Sequence, residues 1–257
     1  MKEDFGILYI ATGKQFISEA TESARSLKNV MPDVKIILWA DEVMSVDNSP
    51  FHTINLIEEP RYSFFDKIKP LCETPFEKTL FVDTDTFFME SVYELIPLLD
   101  RFEFAYCHAP WRICPGENNI LEDVPDSFPE PNSGVIAYRT SEKVFKTIQN
   151  WEHIYDKKLN SDNVPDGDQS ALRLALWQSQ LNMTILPPEY NIRTPFPVFV
   201  GGNTSVKILH GRNPTLGEAK KRINDKEGIR IYDFFKPGTF LGNSKQKLIK
   251  ILEILKN

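Results

Sequence analysis

The chain has 257 residues, 41% of them hydrophobic and 26% charged, the proportions of an ordinary globular protein rather than a disordered or fibrous one. A net charge of -6, with basic residues dispersed among acidic ones, leaves no concentrated Lys/Arg face of the kind duplex nucleic acid requires, so no nucleic-acid partner is expected. Three cysteines, Cys72, Cys107 and Cys114, are an odd number without metal-ligand spacing, which argues against a disulfide framework and for a reducing, cytoplasmic setting.

The N-terminus, Met1 to Ile10, carries Lys2, Glu3 and Asp4 before an apolar run too short for a signal-peptide core. No stretch approaches the ~18 apolar residues of a membrane span. Residues 5–11 read as a strand, Thr12 and Gly13 as a loop, and residues 17–28 as a helix by their apolar spacing. Residues 34–40 repeat the strand signal and close on Asp41. Two strand units joined by a helix predict a mainly parallel α/β sheet, in which ligands gather at the carboxyl ends of the strands.

Residues 64–73 read as a helix. Residues 79–82 form a buried strand that runs directly into Asp83-Thr84-Asp85. Residues 102–107 are a further strand, residues 109–131 a long Pro- and acid-rich loop bordering a site, 135–138 a strand, 142–155 a helix and 169–179 another helix. Residues 206–209 read as the last strand, ending in His210-Gly211-Arg212. Residues 245–256 form a terminal helix with apolar positions interleaved by lysines, favoured as a core cover over a peripheral membrane contact. One α/β domain over residues 1–257 is expected, with a nucleotide-binding half (5–90) and a sugar and acceptor half (91–257).

The Asp-x-Asp at 83 and 85 carries the most chemistry. Two unpaired carboxylates at a sheet rim repel each other unless a cation sits between them. Oxygen ligands suit Mg²⁺ or Mn²⁺, which complete their shells with water and substrate phosphates. The plainer reading is a strand-end turn whose aspartates cap local N–H groups.

The segment Lys-Thr-Leu-Phe-Val-Asp-Thr-Asp-Thr (78–86) resembles that of the GT-A glycosyltransferases, particularly the retaining glycogenin and galactosyltransferase-like group. That resemblance implies a metal held by Asp83 and Asp85 against a donor diphosphate, with Thr84 between them. Lys67, sixteen residues ahead of Asp83, stands where the family places a donor-contacting lysine. Asn132-Ser133-Gly134 resembles the family's segment lining the donor sugar, and Asp168-Gln169 its pair near the reacting carbon. Pro187-Pro188-Glu189-Tyr190-Asn191 resembles its loop before the last core strand, and His210-Gly211 its third metal ligand.

The family's Lys-Pro-Trp grip on the diphosphate is missing, and Arg212 is the substitute phosphate cation. Thr12, Gly13 and Asp41 are expected to line the nucleotide. The resemblance implies a Mn²⁺- or Mg²⁺-dependent transfer of a sugar from a nucleotide-diphosphate donor, UDP being usual, with retention. In an inverting enzyme Asp168 is instead the candidate base.

Plain readings stand beside these. Asp168 opens a helix, where N-capping accounts for it; Asn132 and Gly134 serve a turn; Lys67 is a solvated helix charge. Two other functions are weighed. In a haloacid-dehalogenase-like phosphotransferase Asp83 is a nucleophile, but that motif wants Thr where Phe87 stands. The other is a binding module that holds a nucleotide sugar without turnover.

Overall fold

The computed structural model describes residues 3–42, 45–110, 124–160, 167–194, 198–200, 204–212, 220, 223–224 and 230–232. Strand β1 (Glu3–Ala11) is apolar on both faces. Ile7, Tyr9 and Ala11 join one buried cluster while Leu8 and Ile10 join another, the alternation a two-sided strand imposes. Helix α1 (Lys14–Val30) buries Ile17, Ala20, Ser23, Ala24 and Leu27, the positions its apolar period brings to one side. β2 (Lys35–Ala40) pairs parallel with β1, and β3 (Thr53–Leu56) pairs parallel with β2.

On the other side of β1 lies β4 (Phe76–Val82), parallel to it. Then come β7 (Pro131–Arg139), β6 (Phe104–His108) and β8 (Met183–Ile185), so the seven-stranded order is β3-β2-β1-β4-β7-β6-β8. β7 is antiparallel to both its neighbours, whereas β6 and β8 are parallel. The sheet is therefore mixed and mainly parallel, as expected, and β4 is an interior strand in which Leu80, Phe81 and Val82 are at most 1% exposed. Helix α4 (Glu142–Leu159), capped by Ser141, and α5 (Gln169–Gln178) cover one face. There Trp151 is fully buried among Phe81, Ile148, Leu172 and Leu176, and truncating it to Ala would cost ~3–5 kcal/mol.

The reversed direction of β7 places the site. Its first residues lie at the carboxyl end of β4, and the Asp83 N–H donates to the Gly134 carbonyl at 2.8 Å. A second, three-stranded sheet of β5 (Thr86–Phe88), β11 (Ile208–His210) and β9 (Ile192–Arg193) pairs His210 with Thr86, which brings the histidine from the far end of the chain to the aspartates. β10 (Val198–Val200) pairs antiparallel with β12 (Arg230–Tyr232).

Several sequence expectations need correction. The helix read over 64–73 is one short turn, α2 (Phe65–Ile68), followed by a 3-10 segment, Lys69–Glu73. Pro70 has no N–H to donate and its ring crowds the preceding turn, so an α-helix cannot run through it. The strand read over 206–209 is Ile208–His210 and is not the last, because β12 follows. The loop read over 109–131 ends one residue early, since Pro131 already belongs to β7. Helix α3 (Leu95–Arg101) and strands β3, β5, β8, β9, β10 and β12 were not anticipated. Residues 111–123 of the long loop and the helix read over 245–256 lie outside the described residues. Among those described, no helix is long and apolar enough to cross a membrane.

Candidate active site

After Val82 the chain turns sharply through Asp83-Thr84-Asp85, and three hydrogen bonds hold the turn. The Thr86 hydroxyl donates to the Asp83 carbonyl at 2.8 Å. The Asp85 carbonyl accepts from the Gly211 N–H at 2.9 Å, and the Asp83 N–H is held by Gly134 as described. Both glycines are required. A Cβ on Gly134 would fall on the Asp83 carboxylate and the His210 ring. Gly211 has φ +129°, and a Cβ there would meet the Thr194 carbonyl at 2.6 Å.

Asp83, Asp85 and His210 each offer one ligand atom, all within 4.8 Å of one another. His210 Nε2 lies 3.2 Å from Asp85 Oδ1 and 3.7 Å from Asp83 Oδ2. The tautomer of the buried imidazole follows from its neighbours. Asn132 Oδ1 accepts the Gly134 N–H at 3.1 Å, so the Asn191 atom 2.9 Å from it is the donating Nδ2. Asn191 Oδ1 then faces His210 Nδ1 at 2.9 Å, so Nδ1 carries a proton. Nε2 is the nitrogen that faces the carboxylates, where the neutral imidazole can coordinate a metal. A metal-binding histidine needs this arrangement, so the residues fit a divalent ion. Burial works against the charge on Asp85, but His210, Arg212 and Arg193 hold its carboxyl far below the usual carboxylate range.

Beside this group is a buried ion cluster. Lys67 Nζ donates to Ser133 Oγ at 3.0 Å and lies 3.1 Å from Asp168 Oδ2 and 3.5 Å from Asp83 Oδ1. Ser133 Oγ in turn donates to Asp168 Oδ1 at 2.8 Å. Burial opposes the charge on Lys67, yet Asp168 and Asp83 raise its pKa. Burial pushes Asp168 upward as well, and the nearby Asp83 adds to this against the pull of Lys67. Asp168 occupies the N-cap position of α5 but its side chain makes no capping bond. Asn132 Nδ2 donates to Gln169 Oε1 at 2.9 Å, so hydrogen bonds run unbroken from His210 through Asn191 and Asn132 to Gln169.

Thus Lys67, Asp83, Asp85, Asn132, Ser133, Gly134, Asp168, Gln169, His210 and Gly211 are brought together at the carboxyl end of β4. Thr12, Gly13 and Asp41 form a separate cluster at the ends of β1 and β2. The Gly13 N–H donates to Asp41 Oδ1 at 2.8 Å, and Thr12 Oγ1 donates to Asp66 Oδ2 at 3.1 Å. Arg212 Nε and NH2 grip Glu19 at 2.8 and 2.7 Å, and Thr84 Oγ1 donates to the same carboxylate at 3.0 Å. Glu19, Asp66 and Arg193 were not singled out in the sequence. Asn191 was, but only as the end of a loop.

No family model matches the chain, and no curated protein matches it by sequence. Solved structures do. The galactosyltransferase LgtC, in complex with donor and acceptor sugar analogues, superposes with a TM-score of 0.57 at 12% identity, over 86% of this chain and 94% of that one. The glycosyltransferase GlyE of Streptococcus pneumoniae TIGR4 gives 0.56 at 17% identity, over 82% of this chain and 56% of that one. The bifunctional glycosyltransferase WbbM gives 0.56 at 11% identity, over 83% and 47%. The chain thus spans about half the length of GlyE and WbbM. Its fold is the GT-A fold of these glycosyltransferases.

Proposed function

We propose that the protein is a metal-dependent glycosyltransferase that moves a sugar from a nucleotide-diphosphate donor, UDP being the first to test, to an acceptor with retention of configuration. The observation that carries this reading is the Asp83, Asp85 and His210 group, with Nε2 turned toward the aspartates by Asn191, standing beside the Lys67 and Asp168 cluster in a glycosyltransferase fold. These three side chains would hold Mn²⁺ or Mg²⁺. A divalent ion there supplies positive charge to the oxygens of a departing diphosphate.

The chain's own groups supply the rest. Lys67 anchors Asp83 and Asp168. Arg212 stands over Thr84 and Asp85 as the second phosphate cation. Thr12, Gly13 and Asp41 line the nucleotide, and Gln169 with Asn132, Ser133 and Gly134 faces the sugar. Retention is supported by Asp168, which is 2% exposed and paired with Lys67 and Ser133; a base that deprotonates an acceptor has to face it. The phosphotransferase alternative gains no support, because Phe87 stands where its motif wants Thr and the fold is shared with glycosyltransferases.

Proton NMR of the purified protein with a panel of nucleotide sugars, simple glycosides and Mn²⁺ tests the reading. It expects release of a nucleoside diphosphate and a product with the donor's anomeric configuration. An inverted product would return Asp168 to the role of base. Failure to turn over any donor in the panel would favour the silent binding module.

A further inference from the structure

Arg212 is held in a manner that its own position does not explain. Its main chain follows Gly211, whose N–H is tied to the Asp85 carbonyl, while its side chain turns back onto α1. There its guanidinium lies 5.2 Å from the Phe16 ring centroid and meets Glu19, one helical turn on. The contact with Glu19 uses the Nε and NH2 edge. The other edge points across the Asp-x-Asp turn, with NH2 3.5 Å from Thr84 Oγ1 and NH1 3.5 Å from Asp85 Oδ2. Both of those distances are too long for strong bonds.

A guanidinium has two edges able to grip an oxyanion bidentately. In Arg212 one is consumed and one is presented beside the metal-ligand group. Glu19 is not poised to let go, because its carboxylate also accepts from Thr84 Oγ1 at 3.0 Å and Gln15 Nε2 at 3.2 Å. The side chains are 49% and 22% exposed, and even with bidentate geometry a surface ion pair adds at most about 1 kcal/mol to folding.

We propose that Glu19 is a positioning residue for donor binding: it fixes one edge of Arg212 so that the other meets a phosphate oxygen of a nucleoside diphosphate lying against Asp83 and Asp85. This rests on the donor reading above. Glu19 touches no substrate and acts through Arg212.

Calorimetry with Mn²⁺ present, using UDP and UMP as probes, tests it on the wild type, Glu19→Gln, Arg212→Ala and the double variant. UDP binding should weaken about tenfold in each single variant, the loss of roughly one charge-assisted contact. The double variant should bind as Arg212→Ala does, because two groups acting through one contact are not additive. UMP affinity, Mn²⁺ affinity without nucleotide and melting temperature should be unchanged in Glu19→Gln. UDP affinity in Glu19→Gln within about twofold of wild type, or tighter, overturns the inference while leaving the donor reading intact. So do losses that multiply in the double variant, or an Arg212→Ala protein that binds UDP normally. If the wild type binds none of UDP, GDP, ADP, CDP and dTDP, the donor reading falls and this inference with it.

Discussion

Asp168→Asn separates two roles for the residue that opens α5. As an N-cap, Asn serves as well as Asp, so a capping role predicts almost no loss of stability. The structure assigns no capping bond to this side chain and instead sets its carboxylate 3.1 Å from Lys67 Nζ, with the two side chains 2% and 9% exposed. Removing one partner of a buried pair costs ~3–5 kcal/mol. Lys67 keeps Asp83 at 3.5 Å and Ser133 at 3.0 Å, and the new amide oxygen can still accept a bond, so the loss falls below that range, at about 2–3 kcal/mol. At roughly 2–4 °C per kcal/mol for a chain of this size, the melting temperature should fall by about 5–10 °C. Thermal and urea unfolding would measure it, alone and combined with Lys67→Gln, where the two losses should fall short of additivity. A fall below about 2 °C, or strict additivity, would refute the buried pair. A loss of rate at an unchanged melting temperature, the simplest expectation for a site residue, is therefore not expected here, since the same carboxylate also holds the cluster together.

Four further outcomes follow from the same geometry. Asn191→Ala should weaken Mn²⁺ binding about 10–100-fold as read by electron paramagnetic resonance, because it releases the His210 ring that the amide orients. Gly134→Ala should abolish that Mn²⁺ signal, since its methyl group lands on Asp83 and His210, and normal metal binding would show that the turn has room to move. Asp85→Asn should lower kcat more than about tenfold, because the charge it helps to place is needed most in the transition state. The same variant has a pH consequence in chelator. Burial opposes its charge, but His210, Arg212 and Arg193 depress the Asp85 carboxyl below its ordinary 3.8, so its contribution is complete above that value and lost as pH falls beneath it. The acid limb of the stability curve should be shallower in Asp85→Asn, and an unchanged limb would contradict the depressed pKa.

Much of this was legible in the sequence where it depended on continuous apolar runs. β1, α1, β2 and β4 announce themselves by period and length, and β4 delivers Asp83 to the sheet rim as its run predicts. Three-residue strands such as β5 and β8 carry too little pattern to be seen, and β5 exists because β11 pairs with it across the chain. The site divides in the same way. Asp83, Asp85, Lys67 and His210 were marked by motif order. Glu19 belongs to no motif, and only the fold brings Arg212, 193 residues later, onto it. Asn191 shows the middle case: its place in a loop was noted, while its hold on the His210 tautomer depends on Asn132 and Gly134, which are distant in sequence.

The proposed activity depends on Asp83, Asp85 and His210 holding a divalent ion needed for donor turnover. The most direct measurement is nucleoside diphosphate release from the preferred nucleotide sugar by metal-stripped protein, with Mn²⁺ then titrated back. Release should be negligible in excess chelator, recover saturably with Mn²⁺, and fail to recover in His210→Ala. Undiminished release in chelator, or full Mn²⁺-dependent recovery in His210→Ala, would contradict it.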